Sequence, residues 1–357
     1  MKGRNLLMTE FFAAANTEDG FFSLFDEIFT PEAFRCIYIL KGGPGTGKST
    51  LMRRLGREAE MRGAEPEYLY CSSDTHSLDG LLLPSLGVAV LDGTAPHMRD
   101  PRYPGAVERT VDLASAFDMQ ALEKKRETLV TLIDGKADAY RTAYRFLSAA
   151  GVMQRENEAL LHSVFLEKKA RAAIMRLVSG MKKRKSGKET VRYLSAIATD
   201  GEVRLGTLAH RARKIYAVTN KYAMGYLYMR ILREILHAEG VMMTVCPSPL
   251  VRAQTEAIFI EGEDALFILS DGKEPQAVYK TVNILRFADK EALTRKRKRL
   301  RLAEHHREEL KKSALLALAE AGALHMKTER IYGDCIDFSV TEALTQSLLS
   351  EIFENNM

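Results

Sequence analysis

A glycine-rich run that ends in lysine, serine and threonine holds the residue types best suited to chemistry in this sequence. The run is Gly42-Gly43-Pro44-Gly45-Thr46-Gly47-Lys48-Ser49-Thr50, and its spacing, G-x-x-x-x-G-K-S, is that of a Walker A phosphate-binding loop. Glycines let backbone N–H groups turn inward around phosphates, and a following helix adds its positive dipole end. We therefore expect the run to bind nucleotide, with Lys48 neutralising the β- and γ-phosphates and the Ser49 hydroxyl binding Mg²⁺.

The flanking residues predict the strand and the helix that such a loop requires. Cys36-Ile37-Tyr38-Ile39-Leu40 is a short apolar run typical of a buried strand. Apolar residues then recur at helical spacing until Arg62-Gly63, a typical helix end. These are Leu51, Met52, Leu55 and Ala59. Strand, loop and helix in this order predict a nucleotide site.

Acidic residues at the ends of two further predicted strands complete the candidate site. Asp92 follows the apolar run Val88-Ala89-Val90-Leu91 and is the candidate carboxylate for Mg²⁺; the alternative is an Asp-Gly turn that closes the strand. Asp74 follows a strand predicted over 68–71, where it could orient water or activate an acceptor hydroxyl; otherwise it is a turn residue. The predicted catalytic residues are Lys48, Asp74 and Asp92, and the predicted metal ligands are Ser49 and Asp92.

Two neighbouring features bear on the expected rate and on further ligands. Gly93 follows Asp92, so the Asp-Glu pair of many motor ATPases is absent and slow hydrolysis is expected. Asp79 and His97 are weaker candidates. His97 ends a polar, turn-rich segment, which could sense phosphate or metal or could be a structural turn.

The two halves of the chain share an order of short motifs, which predicts an internal repeat. The matching segments are 11–17 with 193–199, 35–38 with 213–216, 68–73 with 243–248, 88–93 with 267–272, 121–126 with 292–297, and 149–151 with 320–322. Alternating strand and helix patterns within each half predict an α/β chain with two P-loop NTPase-like, three-layer αβα units in tandem. Each unit would contain a mainly parallel sheet and a helical arm.

The expected boundaries follow from this repeat. A first unit spans 1–180 with its arm over about 112–180, a basic linker spans 181–190, and a second unit spans 191–357 with its arm over about 288–357. The basic runs at 182–188 and 295–301 could contact nucleic acid. A solvated connector for the first run, and pairing with nearby glutamates for the second, are the favoured interpretations.

The second unit lacks the residues that would hold phosphate. Ala223-Met224-Gly225-Tyr226-Leu227-Tyr228 stands where the first unit has residues 45–50, so tyrosine replaces the lysine and leucine replaces the metal-binding hydroxyl. Bulky side chains would fill the phosphate cradle. We expect a degenerate site that does not bind nucleotide.

Composition and charge narrow the class of protein. The chain has 357 residues, is 46% hydrophobic and 28% charged, and carries a net charge of +5, which is typical of a globular protein and does not itself indicate nucleic-acid binding. No apolar stretch is long enough to span a membrane, and no signal-peptide pattern is evident. Four cysteines without metal-ligand spacing favour a reducing compartment. We expect a cytoplasmic location and no membrane partner.

Three motifs in order resemble an uncharacterised bacterial family of tandem P-loop proteins, usually described as ATPases or ATP-binding proteins. They are residues 39–50, Cys71-Ser72-Ser73-Asp74 with Ser77-Leu78-Asp79-Gly80, and Asp92-Gly93-Thr94-Ala95-Pro96-His97. The resemblance covers essentially the whole chain and implies ATP binding and hydrolysis, without indicating a further substrate. The second half of that family commonly carries its own glycine-rich loop, and this chain departs from the family at residues 223–228.

Four functions remain open at the level of sequence. The favoured one is an ATP-binding protein with slow Mg²⁺-dependent hydrolysis in the first unit, which drives rearrangement against the degenerate second unit. A protein partner, if there is one, is unknown from the sequence. The alternatives are a kinase of a small molecule or nucleotide with Asp74 as base, an ATPase associated with nucleic acid, and a binding switch without turnover. ATP rather than GTP is expected because no base-reading N-K-x-D motif is evident.

Overall fold

The computed structural model describes residues 9–181, 183–184, 186–270 and 278–354. Its strands are β1 Thr9–Phe12, β2 Ala14–Thr17, β3 Gly20–Ser23, β4 Cys36–Lys41, β5 Glu67–Tyr70, β6 Leu78–Leu83, β7 Val88–Asp92, β8 Glu108–Asp112, β9 Glu189–Val191, β10 Ser195–Ala198, β11 Gly201–Arg204, β12 Lys214–Thr219, β13 Met243–Pro247, β14 Thr255–Ile260, β15 Ala265–Ser270 and β16 Lys280–Val282. Its α-helices are α1 Phe25–Ile28, α2 Lys48–Met61, α3 Met119–Lys124, α4 Arg126–Leu161, α5 Glu167–Val178, α6 Thr207–Arg211, α7 Met224–Ala238, α8 Lys290–Gly333 and α9 Phe338–Phe353. We call β1–β8 with α1–α5 the first unit and β9–β16 with α6–α9 the second unit.

Two six-stranded sheets have the same strand order, which confirms an α/β chain of two tandem-like units. The first is ordered β1-β5-β6-β7-β4-β8 and the second β9-β13-β14-β15-β12-β16. Both sheets are mixed, because β6 and β14 each run antiparallel to both neighbours, while the other five strands of each sheet run in the same direction, as expected of mainly parallel sheets. Short connections lead into and out of these two strands, and a short connection between paired strands gives an antiparallel pair.

Reciprocal backbone contacts relate the two units as in a symmetric dimer. The Phe12 N–H donates to the Tyr193 carbonyl at 2.9 Å, and the Tyr193 N–H returns a bond to the Phe12 carbonyl at 3.1 Å. Farther out, the Asp118 N–H donates to the Cys335 carbonyl, and the Asp289 N–H donates to the Val164 carbonyl, both at 2.8 Å. These backbone contacts between the units therefore occur in equivalent pairs, as in an interface with twofold symmetry.

The hydrophobic core has three main parts, and the arms cross between the units to complete two of them. The inner faces of both sheets share one cluster with α1 and α6. On the outer face of the first sheet, α2 packs with α9 from the second unit. On the outer face of the second sheet, α7 packs with α5 from the first unit. Each unit thus depends on a helix of the other to bury its outer apolar surface.

The predicted arms are helical, and their longest helices pack against each other. Helices α4 and α8 run antiparallel, because Glu156 near the end of α4 pairs with Arg299 near the start of α8 at 2.9 Å, whereas Gly135 near the start of α4 lies beside Leu324. Strand β9 begins at Glu189, within the expected linker. Lys182 and Lys185 of that linker lie outside the described residues. Among the described helices, none combines the length and the apolar character needed to cross a bilayer.

Hydrogen bonds correct the register of the repeat. The Cys71 N–H donates to the Ser77 carbonyl at 3.0 Å, and the Ser248 N–H donates to the Gln254 carbonyl at 2.8 Å, so Cys71 corresponds to Ser248 and not to Cys246. The sequence match of the two cysteines was therefore wrong by two residues. The same register makes Val251 the counterpart of Asp74, whereas extending the match of 68–73 with 243–248 by one residue would give Pro249.

Candidate functional site

The glycine loop, Gly42–Gly47, joins the carboxyl end of β4 to the first residue of α2. Gly45 and Gly47 have φ angles of +76° and +83°, a region that other residues rarely adopt. The Thr46 hydroxyl donates to the Gly43 carbonyl at 2.9 Å and closes the loop on itself. The backbone therefore turns tightly at the N-terminus of a long helix, where unpaired N–H groups favour an anion.

Lys48 bends back over the glycine loop. Its ammonium donates to the carbonyls of Gly42 and Gly43 at 2.7 and 2.9 Å, and it lies 3.5 Å from the Asp92 carboxylate. The Lys48 side chain is 11% exposed and the Asp92 side chain 15% exposed. A partly desolvated cation is thus held at the mouth of the loop, where its attraction to an anion is stronger than in water.

Asp92 reaches this position because β7 pairs in parallel with β4, which places Asp92 opposite Leu40. Its Oδ1 accepts hydrogen bonds from the Thr94 N–H at 2.9 Å and from the Thr94 hydroxyl at 2.5 Å. Burial raises the pKa of Asp92, and the Lys48 ammonium and the Thr94 bonds oppose that rise. The remaining oxygen faces Lys48.

The corrected register of the repeat shows that Asp92 has no acidic counterpart in the second unit. In the second unit Val218 of β12 corresponds to Leu40, and it pairs with Leu269, so Leu269 is the counterpart of Asp92. Asp271 and Gly272, which the sequence matched to Asp92 and Gly93, lie outside the described residues. The carboxylate is therefore specific to the unit that carries Lys48.

Ser49 and Thr50 occupy the first turn of α2. The Ser49 hydroxyl accepts a hydrogen bond from the Leu78 N–H at 3.1 Å, which fixes it between the helix and β6, while Thr50 is exposed. Among the described residues, no three His, Cys, Asp or Glu side chains converge as a metal site. A metal held by Ser49 and Asp92 would take its other ligands from phosphate and water, as Mg²⁺ commonly does.

Asp74 lies in the turn between β5 and β6, and no direct contact joins it to Lys48. Its carboxylate accepts a bond from the His76 N–H at 3.1 Å and from the Ser77 hydroxyl at 2.5 Å. The same backbone turn forms in the second unit around Val251, where the Gln254 N–H donates to the Val251 carbonyl at 2.9 Å. The turn therefore does not require the carboxylate.

Asp79 and His97 form a buried pair close enough to Asp92 to influence its charge. Asp79 is the extra residue of a β-bulge in β6, and its Oδ2 lies 2.9 Å from the His97 Nε2. The His97 ring stacks on Phe25 with centroids 4.4 Å apart. Burial lowers the pKa of His97, but the Asp79 carboxylate outweighs it, so the net shift is upward. The bulge of the second unit carries Glu256 at the equivalent position.

The second unit supplies part of the wall around the glycine loop, which sequence analysis missed. A Cβ atom on Gly45 would lie 3.0 Å from the Glu329 carbonyl oxygen, and one on Gly47 would lie 3.3 Å from Thr341. His325 lies one helical turn before Glu329 on the same helix, α8. Burial and the charge of Lys136 lower the pKa of His325. No local pattern could indicate these contacts, because they join residues nearly 300 positions apart.

The loop of the second unit is shorter, and a side chain of the loop accepts a hydrogen bond from the helix N-terminus. Helix α7 begins at Met224, five residues after β12 ends at Thr219, whereas α2 begins seven residues after β4 ends. The Asn220 amide oxygen accepts the Gly225 N–H at 3.0 Å, so a side chain occupies a donor at the helix N-terminus. Met224 starts α7 after the left-handed Ala223, as Lys48 starts α2 after the left-handed Gly47, so Met224 is the counterpart of Lys48 and the sequence match with Tyr226 was wrong by two residues. Tyr226 lies farther along α7 and approaches the Ser248 hydroxyl at 3.5 Å.

Comparison with known proteins gives no match: no protein-family model, no curated protein and no solved structure is similar to the chain.

Proposed function

We propose that the first unit is a P-loop NTPase-like unit of three αβα layers, which binds ATP with Mg²⁺ in the glycine loop and hydrolyses it slowly. The second unit does not bind nucleotide. The observation that carries this proposal is the placement of Lys48, folded over the loop carbonyls and facing Asp92. A turn that only capped a helix would need neither the buried ammonium nor the carboxylate opposite it.

The roles of the residues follow from their positions. Backbone N–H groups of the glycine loop would surround the β-phosphate, and Lys48 would exchange its two carbonyl bonds for bonds to phosphate oxygens. Ser49 and Asp92 offer the hydroxyl and the carboxylate that suit Mg²⁺. The metal, when bound, neutralises charge on the β- and γ-phosphates.

Slow turnover is expected because no described carboxylate beside the loop is well placed to activate water. Gly93 follows Asp92, so no carboxylate stands there to activate water. Asp74 already accepts bonds from His76 and Ser77, which leaves it a weaker candidate for a base than its spacing alone indicates. These contacts favour hydrolysis over efficient transfer to an acceptor.

Isothermal titration with MgATP tests the proposal directly. We expect one site per chain in the wild type and a loss of at least about ten- to 150-fold in affinity for Lys48→Ala, which is the effect of losing one bond to a charged group at about 1.5–3 kcal/mol. Lys221→Ala is the matched control, since Lys221 is an exposed lysine in the equivalent loop of the second unit. Equal affinities of wild type and Lys48→Ala would refute the assignment.

A turnover assay separates the proposed activity from the alternatives. Phosphate release should depend on Mg²⁺ and fall in Asp92→Asn, and added DNA or RNA should not change the rate. Release that exceeds transfer to any added acceptor favours an ATPase. Binding without release would indicate a switch, and stimulation by nucleic acid would indicate the nucleic-acid-associated class.

A further inference from the structure

Two aromatic rings, one from each unit, lie against the glycine loop. A Cβ atom on Gly43 would be 3.1 Å from the Phe117 Cζ and 3.6 Å from the Tyr332 Cε1. The two ring centroids are 5.3 Å apart and the ring planes are tilted by 46°. Both residues are partly exposed, so neither ring is sealed in the core.

The aromatic pair lies on the side of the loop opposite the candidate metal ligands. Strand β4 has β7 as one neighbour and β8 as the other. Asp92 ends β7, whereas Phe117 follows β8 after a single 3₁₀ turn, Leu113–Ala116. If the terminal phosphates lie toward Asp92, the α-phosphate and the nucleoside extend the other way, toward Phe117.

The second unit has no such pair, although its backbone is the same there. The Cys335 N–H donates to the Tyr332 carbonyl at 2.9 Å, and the Val164 N–H donates to the Leu161 carbonyl at 2.9 Å, so Leu161 corresponds to Tyr332. The bridges between Phe117 and Ile336 and between Phe165 and Ala288 make Ala288 the counterpart of Phe117. At these equivalent positions the aromatic pair therefore lies only beside the loop that carries Lys48.

We propose that the base of the bound nucleotide stacks on Tyr332 and Phe117, so that the second unit supplies part of the base site of the first. This inference rests on the function proposed above. Stacking on aromatic side chains uses the π-face that every base presents, and it grows with ring area. The aromatic pair thus favours the larger purine ring over a pyrimidine and does not distinguish ATP from GTP by base edges.

Comparing ATP with inorganic tripolyphosphate isolates the contribution of the base. Removing one stacking ring weakens base binding by about five- to 150-fold in other proteins. We expect Tyr332→Ala to lose affinity for MgATP in that range while its affinity for Mg-tripolyphosphate changes less than about twofold. Tyr332→Phe should keep both affinities, and Tyr279→Ala, which removes an exposed tyrosine of the second unit, should change neither.

The outcomes separate this inference from the proposed function. A wild type that binds neither ligand ends both proposals. Equal loss of ATP and tripolyphosphate in Tyr332→Ala, or no loss of either, overturns the base site but leaves the phosphate loop standing. Etheno-ATP provides a readout on the unaltered protein: its emission should be quenched on binding by stacking, and bound etheno-ATP with unquenched emission would contradict the inference.

Discussion

Glu256 offers a sharp test of the electrostatics of the second unit. Its side chain is 5% exposed at the bulge of β14, and the Arg204 guanidinium lies 3.7 Å from its carboxylate. Burial, only partly opposed by Arg204 and by hydrogen bonds from Ser195, raises the pKa of Glu256 from 4.5 to about 7. Replacing Glu256 with Gln keeps the shape and removes the titration.

The direction of the effect follows from proton linkage. The folded chain keeps the Glu256 proton up to about pH 7, whereas the unfolded chain loses it above about pH 4.5. Unfolding therefore releases a proton within this window, and the free energy of unfolding of the wild type falls as pH rises through it. The full decrease is roughly 3 kcal/mol above pH 7, at 1.36 kcal/mol per pKa unit.

Urea unfolding between pH 4.5 and 8 measures this difference. We expect the free energy of unfolding of Glu256→Gln, minus that of the wild type, to rise steadily from about pH 4.5 to about pH 7 and to stay constant at higher pH. Glu320→Gln, at an exposed position on α8, controls for the lost charge. A difference that does not vary with pH would refute the buried, protonated state of Glu256.

Two further substitutions test the loops. Gly45→Ala should lower the free energy of unfolding and the ATP affinity more than Gly63→Ala does. Both glycines have positive φ, but only at Gly45 would a Cβ meet a carbonyl oxygen, that of Glu329 at 3.0 Å. Similar losses for the two variants in thermal melts and titrations would contradict this. Tyr226→Ala should lower the melting temperature by removing its packing and its contact with Ser248, and should leave MgATP affinity unchanged. Loss of ATP binding in that variant would mean that the second loop is not degenerate.

The sequence predicts best what depends on neighbouring residues. The strand, glycine loop and helix expected around Lys48 match β4 and α2, because an apolar run, left-handed glycines and helical spacing are all local signals. The tandem α/β organisation was also predictable, since the order of motifs along each half reflects the common strand order of the two sheets.

The sequence predicts poorly what depends on pairing over distance. Matching Cys71 to Cys246 by identity displaced the register by two residues, whereas the bulge residues Asp79 and Glu256 fix the true one. The same displacement made Asp92 look like a retained turn residue, although its counterpart is Leu269. Contacts of Tyr332 with the glycine loop arise from the crossing arms, which no motif in either half indicates.

The crossed arms mean that the chain cannot be divided into two autonomous domains at its basic connector. A polypeptide ending near residue 181 would retain α2 but lack Leu348 and Ile352, which share one buried apolar cluster with Leu51 and Leu55 in the intact chain. Each half made alone would expose the apolar surface that the helix of the other half buries, and it should aggregate. The two halves expressed together should rescue each other, as complementing fragments do.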